Sequence, residues 1–138
     1  MASFHLQIIS PAEIVIDAHV PTVQIPGVEG DFGVLPGHSN VFSMIRPGVI
    51  NVTMADGHHR RFFAANGYAD VTAKNCTIIS DHIQDMNEIG TAEVEEALAA
   101  AKAAVAKAES GTVMERTAAE KLFEAALALQ EAATRRAA

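Results

Sequence analysis

The sequence predicts an α+β chain: an N-terminal antiparallel β-sandwich of about eight to ten short strands, then a C-terminal antiparallel helical hairpin. Three observations predict it. Before residue 87, short alternating apolar runs are stopped again and again by Pro, Gly or Asp-Gly, the rhythm of an all-β unit. Near Asn87 the composition breaks: all five prolines and all six histidines precede it, whereas 18 of the 48 residues from Thr91 to Ala138 are alanine and one is glycine. After the break, apolar residues recur at spacings of three and four, interrupted once at Gly111-Thr112, the signature of two helices. The expected division is therefore 1–87 and 88–138.

The strands follow in order. Phe4, Leu6 and Ile8 alternate with His5, Gln7 and Ile9 until Pro11. Ile14, Ile16 and Ala18 alternate with Val15, Asp17 and His19 until Pro21. Val23-Gln24-Ile25 is a short run that ends at Pro26-Gly27. Val41 to Ile45 stops at Pro47-Gly48, and Val49 to Met54 stops at Asp56-Gly57. That Asp-Gly, set between Val49–Val52 and Arg60–Phe63, is a strong hairpin signal. Tyr68 to Thr72 and Cys76 to Ser80 make a last pair across Lys74-Asn75.

Between the third and the next strand lies the densest run of breakers, Gly27 to His38, with four glycines and Pro36 in twelve residues. Two tight turns flanking a very short strand is the simplest conformation for it. Glu29 and Asp31 would then be carried outward on a rigid, acidic loop.

In the helical part, Val94, Leu98, Ala101, Val105 and Ala108 share one face of a first helix. Gly111 stands where a helix C-cap glycine belongs. Thr112-Val113-Met114-Glu115 matches a capping box, with Thr112 as N-cap and Glu115 reaching back. Ala118, Leu122, Ala125 or Ala126, Leu129 and Ala133 continue a stripe along the second helix. The short connection makes the helices antiparallel neighbours, and alanine lets their backbones come close. Alanine also offers little apolar area for gripping the sandwich, at roughly 25 cal/mol per Å². A well-formed but weakly attached hairpin is expected.

The 138 residues carry a net charge of −7, so nucleic acid is not the expected partner. The single cysteine, Cys76, excludes an internal disulfide. The N-terminus shows no basic segment followed by an apolar run, and no stretch approaches the roughly 20 apolar residues that span a bilayer, so no direct membrane insertion is expected. Nor do the residues suggest an enzyme or a bound cofactor. Gly37-His38-Ser39-Asn40-Val41 begins like a nucleophile elbow but lacks the closing glycine. The glycine-rich run has no Gly-Lys-Ser/Thr ending and so is not a P-loop. His58 and His59, adjacent at a hairpin tip, point apart and suit no metal. Asn75-Cys76-Thr77 fits a glycosylation sequon without a secretory context. Glu93, Glu95 and Glu96 open a helix where its dipole favours carboxylates.

Three segments together resemble a known family: Glu29-Gly30-Asp31-Phe32-Gly33-Val34-Leu35-Pro36-Gly37-His38, then Ile45-Arg46-Pro47-Gly48-Val49-Ile50, then Asn66-Gly67-Tyr68-Ala69-Asp70-Val71. In order and spacing they are similar to the ε subunits of bacterial F-type ATP synthases, whose mitochondrial equivalent is called δ. The resemblance spans residues 4 to about 85 and implies the same fold as the pattern reading. It further implies a non-catalytic rotor subunit that joins γ to the ring of c subunits, so that ion flow is coupled to ATP synthesis elsewhere in the complex. By the same resemblance Glu29, Gly30, Asp31 and Phe32 would meet the c-ring, and His38 and Ser39 would face γ. The subunit would sit peripherally on the cytoplasmic face of the bacterial plasma membrane.

In the family the hairpin reaches the α/β catalytic head in many members and restrains ATP hydrolysis, and some members bind ATP through an Ile/Leu-Asp-x-x-Arg-Ala motif. Here the corresponding run is Ile89-Gly90-Thr91-Ala92-Glu93-Val94, with Gly90 and Glu93 at the Asp and Arg positions. The middle of the second helix, Glu124 to Ala128, has no positive charge. Nucleotide binding is not expected, and any braking by the hairpin should be weak. The alternative reading is a free-standing β-sandwich binding or assembly module unrelated to energy conversion.

Overall fold

The computed structural model describes residues 2–137. The chain divides into two compact units, Met1–Asn87 and Glu88–Ala138.

The first unit holds eight strands: β1 (Phe4–Ile9), β2 (Ile14–Val20), β3 (Thr22–Gly27), β4 (Gly30–Val34), β5 (Val41–Ile45), β6 (Gly48–Thr53), β7 (His59–Val71) and β8 (Asn75–Asp85). Hydrogen bonding runs through them in the order β2-β1-β8-β7-β5-β3-β4, with β6 bonded to β3 and β7. Every pairing is antiparallel except β1 with β8, which are parallel (Leu6 opposite Cys76, Ile8 opposite Ile78). Period-two burial sets one face of β1 inward, with Phe4, Leu6 and Ile8 buried. Their core companions include Ile16, Val20, Val23, Ile25, Val34, Ile50, Val52, Phe62, Val71 and Ile78. This is a β-sandwich, as the sequence predicts.

Three strand limits differ from expectation. β3 continues through Pro26 and Gly27, which lie opposite Asp31 and Gly30. The proline is tolerated because the neighbouring ladder asks only for its carbonyl, which accepts the Arg46 N–H at 2.9 Å. Arg60–Phe63 and Tyr68–Thr72 are not two strands but the two halves of β7, and β8 runs on past Ser80 to Asp85. From Phe62 on, β7 is paired with β8 on one edge while its other edge changes partner, from β6 up to Ala64 to β5 from Gly67. The change is made at Asn66, whose φ of 59° is left-handed. Gly67 follows because a Cβ there would stand 2.0 Å from the Ile79 carbonyl oxygen and 2.7 Å from Ser80 Cα. Beside it the buried Ser80 Oγ donates to the Ala65 carbonyl at 2.6 Å, so its hydroxyl is satisfied.

The second unit is an antiparallel pair, α1 (Thr91–Ala108) and α2 (Val113–Ala137). On α1, Val94, Ala101 and Ala108 are buried and Leu98 and Val105 half-buried, the stripe the spacing predicts. Thr112 Oγ1 accepts the Glu115 N–H at 3.1 Å, the N-cap bond of the capping box. Two expectations are corrected. Gly111 is not a left-handed C-cap, since it is absent from the positive-φ residues. A Cβ there would lie 2.2 Å from Glu115 Oε2, so that flexible carboxylate would have to swing aside. On α2 the buried positions are Ala119, Ala126 and Leu129, with Phe123 half-buried, while Leu122 is exposed and Ala118 is too. Alanines at both 118 and 119, and at both 125 and 126, leave two stripes equally apolar by spacing, and the one adopted brings the larger Phe123 inward.

Candidate functional site

The acidic loop is a tight hairpin. β3 and β4 are joined by the two-residue turn Val28-Glu29, with Gly27 opposite Gly30. Gly30 sits at φ 135°, where an L side chain is strained, so its part in the site is to set the turn. Glu29 is exposed at the tip. Phe32 is half-buried and packs against the sandwich core, so its ring anchors the hairpin.

Asp31 is exposed but not unpartnered. Its carboxylate is ion-paired with Arg46 Nη2, and the other arm of the same guanidinium donates to the Gly27 carbonyl at 2.6 Å. Main-chain bonds complete the fastening: Val28 N donates to the Met44 carbonyl at 3.0 Å and Arg46 N to the Pro26 carbonyl at 2.9 Å. The planar, many-donor guanidinium suits this double role. Arg46 thus fastens the turn, a role that loop composition alone does not reveal. The nearest sequence signal is its place in Ile45-Arg46-Pro47-Gly48, one of the three family-like segments.

His38 and Ser39 lie past the other end of β4. The turn Leu35-Pro36-Gly37-His38 is closed by His38 N donating to the Leu35 carbonyl at 3.1 Å, and Gly37 N donates to the Ala73 carbonyl at 2.9 Å. Because a carbonyl can only accept, His38 Nδ1 carries the proton it gives to the Ser39 carbonyl at 2.6 Å. The half-buried imidazole therefore turns its Nε2 edge away from that bond. The six predicted residues fall into two groups, 29–32 and 38–39, separated by Gly33 and Val34 at the end of β4 and by the Leu35-Pro36-Gly37 turn. β5 follows in the chain, from Val41 shortly after Ser39 to Ile45 just before Arg46.

No group of three His, Cys, Asp or Glu that could hold a metal exists among the described residues. Burial, helped by nearby Asp70, pushes the Cys76 thiol up to about 12, far from a reactive thiolate. The other ion pairs among the described residues are cross-strand or turn pairs, His5 with Asp17, Asp56 with His58, and Arg60 with Asp85.

Comparison with known proteins gives consistent matches. Residues 3–85 match the model of the family described as ATP synthase, Delta/Epsilon chain, beta-sandwich domain. The ATP synthase epsilon chain of Granulibacter bethesdensis is 35% identical over 133 residues, covering 96% of this chain and 98% of that relative. ATP synthase epsilon chain 1 of Nitrobacter hamburgensis is 36% identical over 109 residues, 79% of this chain and 80% of the relative. A chain in the Euglena gracilis mitochondrial ATP synthase structure (OSCP/F1/c-ring) is similar over 96% of this chain and 82% of its own, with a TM-score of 0.79. At 24% identity, that last likeness is one of fold.

Proposed function

The chain belongs to the ATP synthase delta/epsilon family, and from that premise we propose that it is the ε-type subunit of a central stalk. It is a non-catalytic rotor part linking γ to the c-ring, so that ion flow through the membrane sector is coupled to ATP synthesis. The observation that carries this reading is the family match across the whole sandwich, residues 3–85, joined to near end-to-end similarity with named epsilon chains. The site's geometry supports it. A torque-bearing contact needs polar tips on a stiff base, and the Val28-Glu29 turn has that base in Arg46 and Phe32.

Glu29 faces the ring in this reading, with Gly30 setting the turn and Asp31 and Phe32 holding it in place. His38 and Ser39, at the far end of β4, face γ. Residues 1–87 form the part that couples, and the hairpin of residues 88–138 is a separate, regulatory part whose target is the α/β head. The subunit is peripheral on the cytoplasmic face of a bacterial plasma membrane, held there by the complex. In keeping with this, no described helix is long and apolar enough to cross a membrane.

The test is Glu29→Lys in the assembled synthase. Charge at an exposed turn contributes little to stability, so the subunit should fold and join the complex. ATP synthesis driven by an ion gradient in membrane vesicles should fall well below wild type. Normal coupling would remove this turn from the ring contact. Failure of the wild-type chain to form a one-to-one complex with γ would remove the stalk reading itself.

A further inference from the structure

β2 is an edge strand, bonded to β1 at one end of the strand order, while the β3–β4 hairpin lies at the other end. Burial alternates along β1, so His5 and Gln7 point away from the side on which Phe4, Leu6 and Ile8 are buried. His5 lies directly opposite His19 on β2, and the two rings stack with centroids 5.2 Å apart. Gln7 lies opposite Asp17 in the neighbouring outward row. Asp17 ties the rows together, because its carboxylate is hydrogen-bonded to His5 Nε2 and the Gln7 amide stands 3.5 Å away. That bond to His5 holds the Asp17 carboxyl below its ordinary 3.8, so at neutral pH it is ionised and can only accept. His5 Nε2 therefore carries the proton, and in the neutral ring Nδ1 keeps the lone pair. His19 is exposed and its ring makes no hydrogen bond among the described residues, so it can turn a nitrogen toward that lone pair.

We propose that His5 and His19 form a surface site for one divalent transition cation of the Zn²⁺ or Ni²⁺ kind, with Asp17 fixing the His5 tautomer. Imidazole nitrogen suits these cations, and a ligating histidine commonly gives its other ring N–H to a carboxylate. Two side chains anchor the cation and water completes its coordination, so no third His, Cys, Asp or Glu is needed. Mg²⁺, which prefers oxygen ligands, gains little from a pair of imidazoles. The site exists only in the folded chain, because pairing of β1 with β2 brings the two histidines together. A bound cation therefore clips the edge strand to its neighbour and stabilises the sandwich. His58 and His59 offer the internal comparison. They are neighbours in the chain rather than partners across two strands, and His58 Nδ1 is engaged by Asp56 at 2.8 Å.

The experiment titrates Ni²⁺ into the full-length chain and follows its six imidazoles by nuclear magnetic resonance. The paramagnetic ion should broaden His5 and His19 well before His58 and His59. Zn²⁺ should raise the thermal midpoint in a concentration-dependent way that a chelator reverses, and Mg²⁺ should leave it unchanged. His19→Ala, at an exposed position that the fold does not need, should abolish both responses. Asp17→Asn keeps both imidazoles and should weaken the affinity for Zn²⁺ by about 10–100-fold. Equal broadening of all six rings, or a Zn²⁺ response that survives His19→Ala, overturns the inference. Wild-type affinity in Asp17→Asn removes Asp17 from the site. None of these outcomes touches the stalk reading, which rests on other residues.

Discussion

The sandwich buries Phe4, Phe62, Phe63, Leu6, Ile8, Ile25, Ile50 and Ile78 almost completely, while the buried positions of the two helices, among the described residues, are Val94, Ala101, Ala108, Ala119, Ala126 and Leu129. Four of those six are alanine, each withdrawing little more than a methyl from water, at about 0.8 kcal/mol per carbon. Bonding differs in the same direction. Sandwich strands pair across long stretches of chain, as with β1 and β8, whereas each helix closes its own bonds, with Thr112 capping the start of α2. One unit is specified by fitted shape and long-range pairing, the other by local propensity. Such a contrast suits a stiff coupling body that carries a separately formed, repositionable element.

The contrast can be broken most directly at Gly67. A Cβ there meets backbone atoms of Ile79 and Ser80, which cannot rotate away. Gly67→Ala should therefore cost more than the roughly 1–3 kcal/mol of ordinary overpacking. It should abolish cooperative unfolding of the sandwich in urea while leaving helical circular dichroism from the hairpin. A wild-type denaturation midpoint would mean that the corner of β7 is far softer than its geometry implies.

A chain ending at Asn87 sharpens the contrast from the other side. The last sandwich tie, Met86 N donating to the Arg61 carbonyl at 3.0 Å, is retained. This shortened chain should unfold cooperatively and bind γ, losing no more stability than one large core truncation, about 2–5 kcal/mol. In the synthase it should preserve ATP synthesis, with a modest rise in hydrolysis if the hairpin acts as a brake. Loss of γ binding would make the helices structural and end the division of labour.

What could be read from the sequence follows the same line. Runs bounded by breakers were legible almost to the residue, with Phe4–Ile9 and Val41–Ile45 as expected. Capping at Thr112 was legible because a helix start is written in four consecutive residues. Features set by distant neighbours were not. Pro26 looks like a stop until the Arg46 N–H is seen to need its carbonyl. Asn66-Gly67 looks like a turn until β8 is laid against it, since only the Ile79 backbone explains the missing Cβ. For the same reason Glu29 could be placed on a turn, but the Arg46 clamp on Asp31, fifteen residues away, could not be inferred. In α2 the difficulty was degeneracy, because adjacent alanines make neighbouring stripes alike.

The smallest expected effect is electrostatic, and it too should belong to the sandwich. His5, hydrogen-bonded across β1 and β2, holds the Asp17 carboxyl below its ordinary 3.8, with Gln7 assisting. At the tip between β6 and β7, the Asp56 carboxylate raises His58 above 6.5, and His58 lowers Asp56 in return. The signs are opposite. The two aspartates contribute stability that is present above 3.8 and lost as pH falls through their lowered values. His58 contributes stability that is complete below 6.5 and lost as pH rises through its raised value. Both partners at the tip are well exposed, so solvent screens them and the changes should be slight. Asp56→Asn should return the His58 titration, followed by nuclear magnetic resonance, to about 6.5 and erase the small loss of stability above that pH. Because Asp17, Asp56 and His58 all lie before Asn87, the chain ending there should keep the same dependence as the full chain. A profile that changed on removing the hairpin would mean that the helices bear on the sandwich charges.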